Sequence, residues 1–262
     1  MIWTFLAVYA GVLAFLYVFQ RSMIYHPDFR SGAPYQGPVN YEPVSATTSD
    51  GLSLRGFLSL PKTGYNCLFI WFQGNAGTPD MRQEFAESYA TGGCGVLITS
   101  YRGYAGNKGS PSEEGIYDDA RGWIDFAHQK GFSDDQIILI GESLGTGVAV
   151  QMATEYPGIK GLILNAPYTS LVDVAQGRFF FVPVKYLMKD VFDSLSKISQ
   201  ITIPVLIAQG DRDRVIPPRL GKILYAAAPE PKKLRVFQGY GHNDMPQAEI
   251  ARDTYDFFAL TR

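Results

Sequence analysis

Cysteine and histidine are scarce in this 262-residue chain, which has two of the first and three of the second. Two cysteines exclude a disulfide-stapled scaffold, and Cys67 and Cys94 lack the clustered partners that a metal site needs. Both are expected as free thiols with a packing role, and no metal is expected. Positive charge is also in short supply: 23 Lys and Arg stand against 25 Asp and Glu, for a net charge of -2. With no stripe of cations to meet phosphates, nucleic acid is excluded as a partner. Low-complexity tracts and internal repeats are missing as well. A composition 46% hydrophobic and 18% charged is that of a globular chain long enough for one large core.

Charge is missing altogether from residues 2–19. Eighteen apolar helical residues reach roughly 27 Å, enough for a thin hydrocarbon core, and Trp3 and Tyr17 stand near the ends, where interfacial rings are favoured. A secretory signal would carry a basic start and a small-residue cleavage site, and neither precedes Pro27. Residues 1–26 are therefore expected as an uncleaved single-pass membrane anchor, followed by a Pro/Gly-rich linker over 27–43. Arg21 and Arg30 follow the apolar run and no Lys or Arg precedes it, which predicts a cytoplasmic domain.

Beyond the linker, residues 44–48 and 52–60 flank Ser49-Asp50-Gly51 and read as an antiparallel hairpin. The pattern then changes to short apolar runs at 67–72, 96–101, 136–140, 162–165, 205–208 and 234–237. Helical stretches at 80–91, 113–130, 143–156, 218–228 and 246–260 separate them. This alternation predicts an α/β domain over 44–262 with a mostly parallel sheet covered on both faces. Residues 170–201 break the rhythm and are expected as a small lid.

Gly141-Glu142-Ser143-Leu144-Gly145 matches G-x-S-x-G between a predicted strand and a predicted helix. That setting exposes a strained serine at a helix N-terminus, where free N–H groups face a developing oxyanion. A serine needs a base to take its proton. His26 falls in the linker and His128 late in an amphipathic helix, whereas His242 sits in a Gly-rich loop after the last predicted strand. The imidazole in turn needs a carboxylate to orient it; Asp211 and Asp213 both follow the run 205–208, and residue chemistry alone leaves the choice open. The loop 72–77 offers a backbone N–H to join that of Leu144 as an oxyanion hole.

Several stretches together resemble the α/β-hydrolase superfamily, and within it the membrane-anchored serine hydrolases that include bacterial enzymes and the eukaryotic protein depalmitoylases. They are Gln20-Arg21-Ser22, Gly74-Asn75-Ala76-Gly77, Tyr101-Arg102-Gly103-Tyr104, the segment 141–147, Ala166-Pro167-Tyr168-Thr169-Ser170 and Gly241-His242-Asn243-Asp244. The resemblance implies an α/β-hydrolase fold, a triad of Ser143, Asp213 and His242, and backbone donors at Asn75 and Leu144. It places Asp213 as the triad acid by aligning the family's His-Gly-x-x-Asp on Gly210. Two residues depart from the pattern, since Gln73 and Gln209 stand where the family has supporting histidines. The implied chemistry is hydrolysis of an acyl ester or thioester through an acyl-enzyme, without a cofactor; the rival is an idle, membrane-tethered scaffold on the same fold. Apolar residues of the lid, Phe180 and Met188 among them, are expected to wall a pocket for a lipid-like acyl chain.

Overall fold

An uncharged apolar segment satisfies its backbone within itself, and the N-terminus accordingly coils into one helix, α1 (Ile2–Ile24). It has the length and composition to cross a membrane. The computed structural model describes residues 1–28 and 35–260, so Arg30 lies outside the described residues.

The chain continues through β1 (His26–Pro27), β2 (Glu42–Thr47), β3 (Ser53–Ser59), β4 (Leu68–Phe72), β5 (Ala76–Gly77), α2 (Gln83–Gly92) and β6 (Gly95–Ile98). Next come α3 (Glu113–Gln129), β7 (Ile137–Glu142), α4 (Leu144–Glu155) and β8 (Gly161–Asn165). Three short helices follow, α5 (Leu171–Arg178), α6 (Val184–Leu187) and α7 (Leu195–Ile198), and they occupy the segment expected as a lid. The chain closes with β9 (Val205–Gly210), α8 (Pro218–Ala227), β10 (Lys232–Phe237) and α9 (Gln247–Phe257).

Among the described residues, eight strands form one sheet in the order β10-β9-β8-β7-β4-β6-β3-β2. The β2–β3 hairpin is antiparallel and β3 meets β6 antiparallel, while all other neighbours are parallel. Strand β4 shows why continuous apolar runs predict this burial: Leu68, Ile70 and Phe72 enter the core under α3, α4 and α8, and Phe69 and Trp71 the core under α2 and α9. Both faces are covered, so neither set of alternate positions is polar.

The β4–β6 register overturns the expectation of free thiols. Leu68 pairs with Gly95, so the residues just before them lie side by side, and Cys67 and Cys94 form a disulfide with Cα atoms 4.9 Å apart. The segment after α1 is also held closely. His26 and Pro27 pair in parallel with Ala76 and Gly77, and the Tyr41 hydroxyl donates to the Gln83 carbonyl at 3.2 Å. Arg102 gathers three carboxylates, Asp119 at 2.8 Å, Asp50 at 3.0 Å and Asp118 at 3.2 Å, and thereby ties the hairpin turn to α3.

Candidate active site

Strand β7 runs through the centre of the sheet and reverses sharply into α4, and Ser143 is the residue at the reversal. Its φ of 51° and ψ of -115° lie where a side chain is strained, and the Ser143 N–H donating to the Asn165 carbonyl at 2.9 Å holds it there. Glycines make the approach possible. A Cβ on Gly141 would lie 2.5 Å from the Gly145 carbonyl oxygen, and one on Gly145 would strike the Phe72 carbonyl. Only bare backbone lets α4 sit so deep between β7 and β4.

His242, on the loop after β10, brings its Nε2 to 2.9 Å from Ser143 Oγ. Its Nδ1 lies 2.7 Å from Asp213 Oδ2. A carboxylate only accepts, so Nδ1 carries the proton and Nε2 is left to take one from the serine. Asp213 Oδ1 accepts from the N–H groups of Val215 and Ile216, each at 2.8 Å. Burial opposes charge on Asp213, but the His242 hydrogen bond and charge and these two N–H donors outweigh it and hold the carboxyl below its usual range. Asp211 is engaged elsewhere, accepting from the Gly239 N–H at 2.6 Å. Of the other histidines, His128 pairs with Asp134 at 2.8 Å on the surface, and His26 lies in β1.

Leu144 is the first residue of α4, so its N–H has no acceptor within the helix. It lines one cavity with Ser143 and Asn75. The Asn75 backbone is pinned by its own carbonyl, which accepts from the His26 N–H at 2.9 Å and from the Tyr104 hydroxyl at 3.0 Å. Tyr101 holds the same loop one step back by donating to the Gln73 carbonyl at 3.0 Å. These contacts give the Tyr101 to Tyr104 stretch, for which residue types suggest a structural rather than a chemical role, its place in the fold. Gln209 donates to Asp213 Oδ2 at 3.3 Å, so the glutamine in the family's histidine position still supports the carboxylate.

The cavity measures about 270 Å³ and is walled largely by apolar side chains. Met188 lines it and Phe180 does not: Phe180 is 83% exposed, and Phe179 faces the cavity instead. Helix α5 ends at Arg178 and Phe179 is its C-cap, so the residue after it leaves the helix and turns outward. Phe192, another apolar lid residue, is fully buried against Tyr117. Sequence reading missed the wall opposite the lid, which is made by Leu16, Tyr17, Gln20, Met23 and Ile24 of α1. The signal available was the polar Gln20-Arg21 pair at the end of an apolar run.

Comparison with known proteins places this geometry in a family. Residues 68–196 match the family model for the alpha/beta hydrolase fold. An uncharacterized protein of Mycobacterium tuberculosis is 37% identical over 246 residues, 90% of this chain and 85% of that protein. The alpha/beta hydrolase domain-containing protein WAV2 of Arabidopsis thaliana is 30% identical, with 84% of this chain and 79% of the relative covered. Among solved structures, the Pyrococcus furiosus esterase Pf2001 superposes with a TM-score of 0.72 at 19% identity, covering 89% of this chain and 98% of the esterase. The chain belongs to the α/β-hydrolase fold family.

Proposed function

We propose that the protein is a membrane-anchored serine hydrolase that cleaves an acyl ester or thioester of lipid-like character. The observation that carries this reading is the position of His242, 2.9 Å from Ser143 Oγ on one side and 2.7 Å from Asp213 on the other.

In the first half-reaction His242 Nε2 takes the Ser143 proton as Oγ bonds to the acyl carbon. The carbonyl oxygen gains the negative charge and is met by the N–H groups of Leu144 and Asn75. The tetrahedral carbon then expels the alcohol or thiol, which leaves with the proton held by His242, and an acyl-serine remains. Water repeats the sequence with the same base and releases the acid and free Ser143. Asp213 orients the imidazole and stabilises its cation throughout. The esterase Pf2001 shares the fold, and the apolar cavity beside Ser143 favours an acyl chain over a polar group.

The anchor places the domain against a bilayer, and the two arginines after the apolar run favour the cytoplasmic side. A fluorophosphonate probe should label the wild-type protein and fail with Ser143→Ala. Folded wild-type protein that stays unlabelled would leave the idle scaffold as the reading.

A further inference from the structure

The N-terminal helix has one face on the protein. Its least exposed positions are Tyr9, Leu13, Leu16, Gln20 and Ile24, spaced by three or four residues as one helical stripe. Along that stripe polar groups fix the helix to the lid. Gln20 Nε2 donates to the Leu187 carbonyl at 3.1 Å and Gln20 Oε1 accepts from the Lys189 N–H at 2.7 Å. Arg21 pairs with buried Asp190 at 2.8 Å, and Asp190 also accepts from the Glu113 N–H at 3.1 Å at the start of α3. Three contacts from neighbouring residues of α1 are not needed to tether a domain. They set the angle and depth at which α1 lies across the cavity.

The lid also extends along α1 beyond the cavity. The Tyr9 hydroxyl donates to the Phe181 carbonyl at 2.7 Å, and Tyr17 sits under the Lys189 ammonium, 4.2 Å from its ring centre. A Tyr and a Lys together suit the headgroup level. Tyr9 lies about 12 Å farther along the helix than Tyr17 at ~1.5 Å per residue, within the roughly 15 Å of one hydrocarbon leaflet. At that level Phe181 is 52% exposed and Phe180, whose ring packs against it, is 83% exposed, an apolar tip that water would penalise and lipid would not.

We propose that α1 is a working wall of the acyl pocket, and that the acyl chain of a bilayer-resident substrate enters laterally between α1 and the lid, with Leu16 and Met23 setting the length accepted. This rests on the hydrolase reading above and adds the source of the chain and the residues that select it. Leu16 and Met23 face the cavity that holds Ser143, while Val18, on the same helix, is 64% exposed and faces away. The carbonyl to be attacked then sits at the membrane surface beside Ser143 while its chain still lies in the leaflet.

The test uses the full chain in phosphatidylcholine nanodiscs with nitrophenyl esters from butyryl to dodecanoyl. Wild-type kcat/KM should rise by up to about fourfold per methylene until the pocket is filled. Leu16→Trp and Met23→Trp should each lower the dodecanoyl-to-butyryl ratio at least tenfold, and Val18→Trp should not change it. If wild type hydrolyses butyryl ester but both wall variants keep the wild-type ratio, the wall role is overturned and the hydrolase reading stands. If wild type hydrolyses no ester, both fall. A bimane dye on Phe180→Cys supplies a readout independent of turnover. Quenching by spin-labelled acyl chains and protection from iodide support the leaflet entry, and the reverse pattern overturns it.

Discussion

The Asn75 side chain donates to the carbonyl of Ile24 at 3.0 Å, so the last residue of α1 is joined directly to the loop that lines the cavity with Ser143. Asn75→Ala keeps the backbone N–H proposed to meet the oxyanion but releases this hold. We expect kcat for a short ester to fall roughly tenfold with little change in KM, and stability to fall by about 1 kcal/mol for the lost hydrogen bond. Steady-state kinetics and urea unfolding measure the two effects. An unchanged kcat would show that the Ile24 contact is packing alone.

Asp213 and Asp211 are two residues apart and have different work. Asp213→Asn leaves His242 without the partner that fixes its tautomer, and kcat should drop by about 10⁴. Asp211→Asn keeps an oxygen for the Gly239 N–H and should stay within a few-fold of wild type. The same carboxyl governs acid stability. Its folded value is held below the unfolded one, so the unfolded chain takes up the proton first as pH falls. The stabilisation is present above about pH 3.9 and is lost as pH drops through the folded value. Unfolding midpoints measured at descending pH should decline less steeply in Asp213→Asn than in wild type; parallel curves would refute the assignment.

Cys67 and Cys94 are 27 residues apart, and closing a loop of that length stabilises the fold by about 3–4 kcal/mol in the chain-entropy account. Reducing the purified protein should lower its melting temperature by several degrees. A cytosol keeps such pairs reduced. The proposed cytoplasmic placement therefore predicts that both thiols are alkylated when cells are lysed into iodoacetamide, and recovery of the pair as a disulfide would place the domain on the other side of the membrane.

The elbow was legible in the sequence because all of its requirements are local: a buried strand, two glycines and a helix start within ten residues of Ser143. Its partners were legible less directly. Asp211 and Asp213 share a loop and a charge, so residue chemistry does not separate them; the family pattern aligned on Gly210 points to Asp213, and the physical difference lies in the turn that hands one to Gly239 and the other to His242. The Phe179-Phe180-Phe181 run was apolar enough to suggest a pocket but could not say which ring faces it, since that depends on where α5 ends. The disulfide depended on the β4–β6 register, and the role of Gln20 on a contact with Leu187 and Lys189, far along the chain. Pairings between distant segments leave no periodic mark on either one.

A cavity with the apolar helix α1 for one wall has, under the anchoring proposed above, a practical consequence for whoever extracts the protein. Detergent must coat α1 to bring it into solution, and an alkyl tail lying along Leu16 and Met23 is already at the mouth of the space beside Ser143. Under the proposed lateral entry, the solubilising agent and the substrate compete for one site. Rates measured in long-tailed detergent would reflect that competition as much as the enzyme's own chemistry, and they should recover on transfer to a bilayer in proportion to the tail length removed.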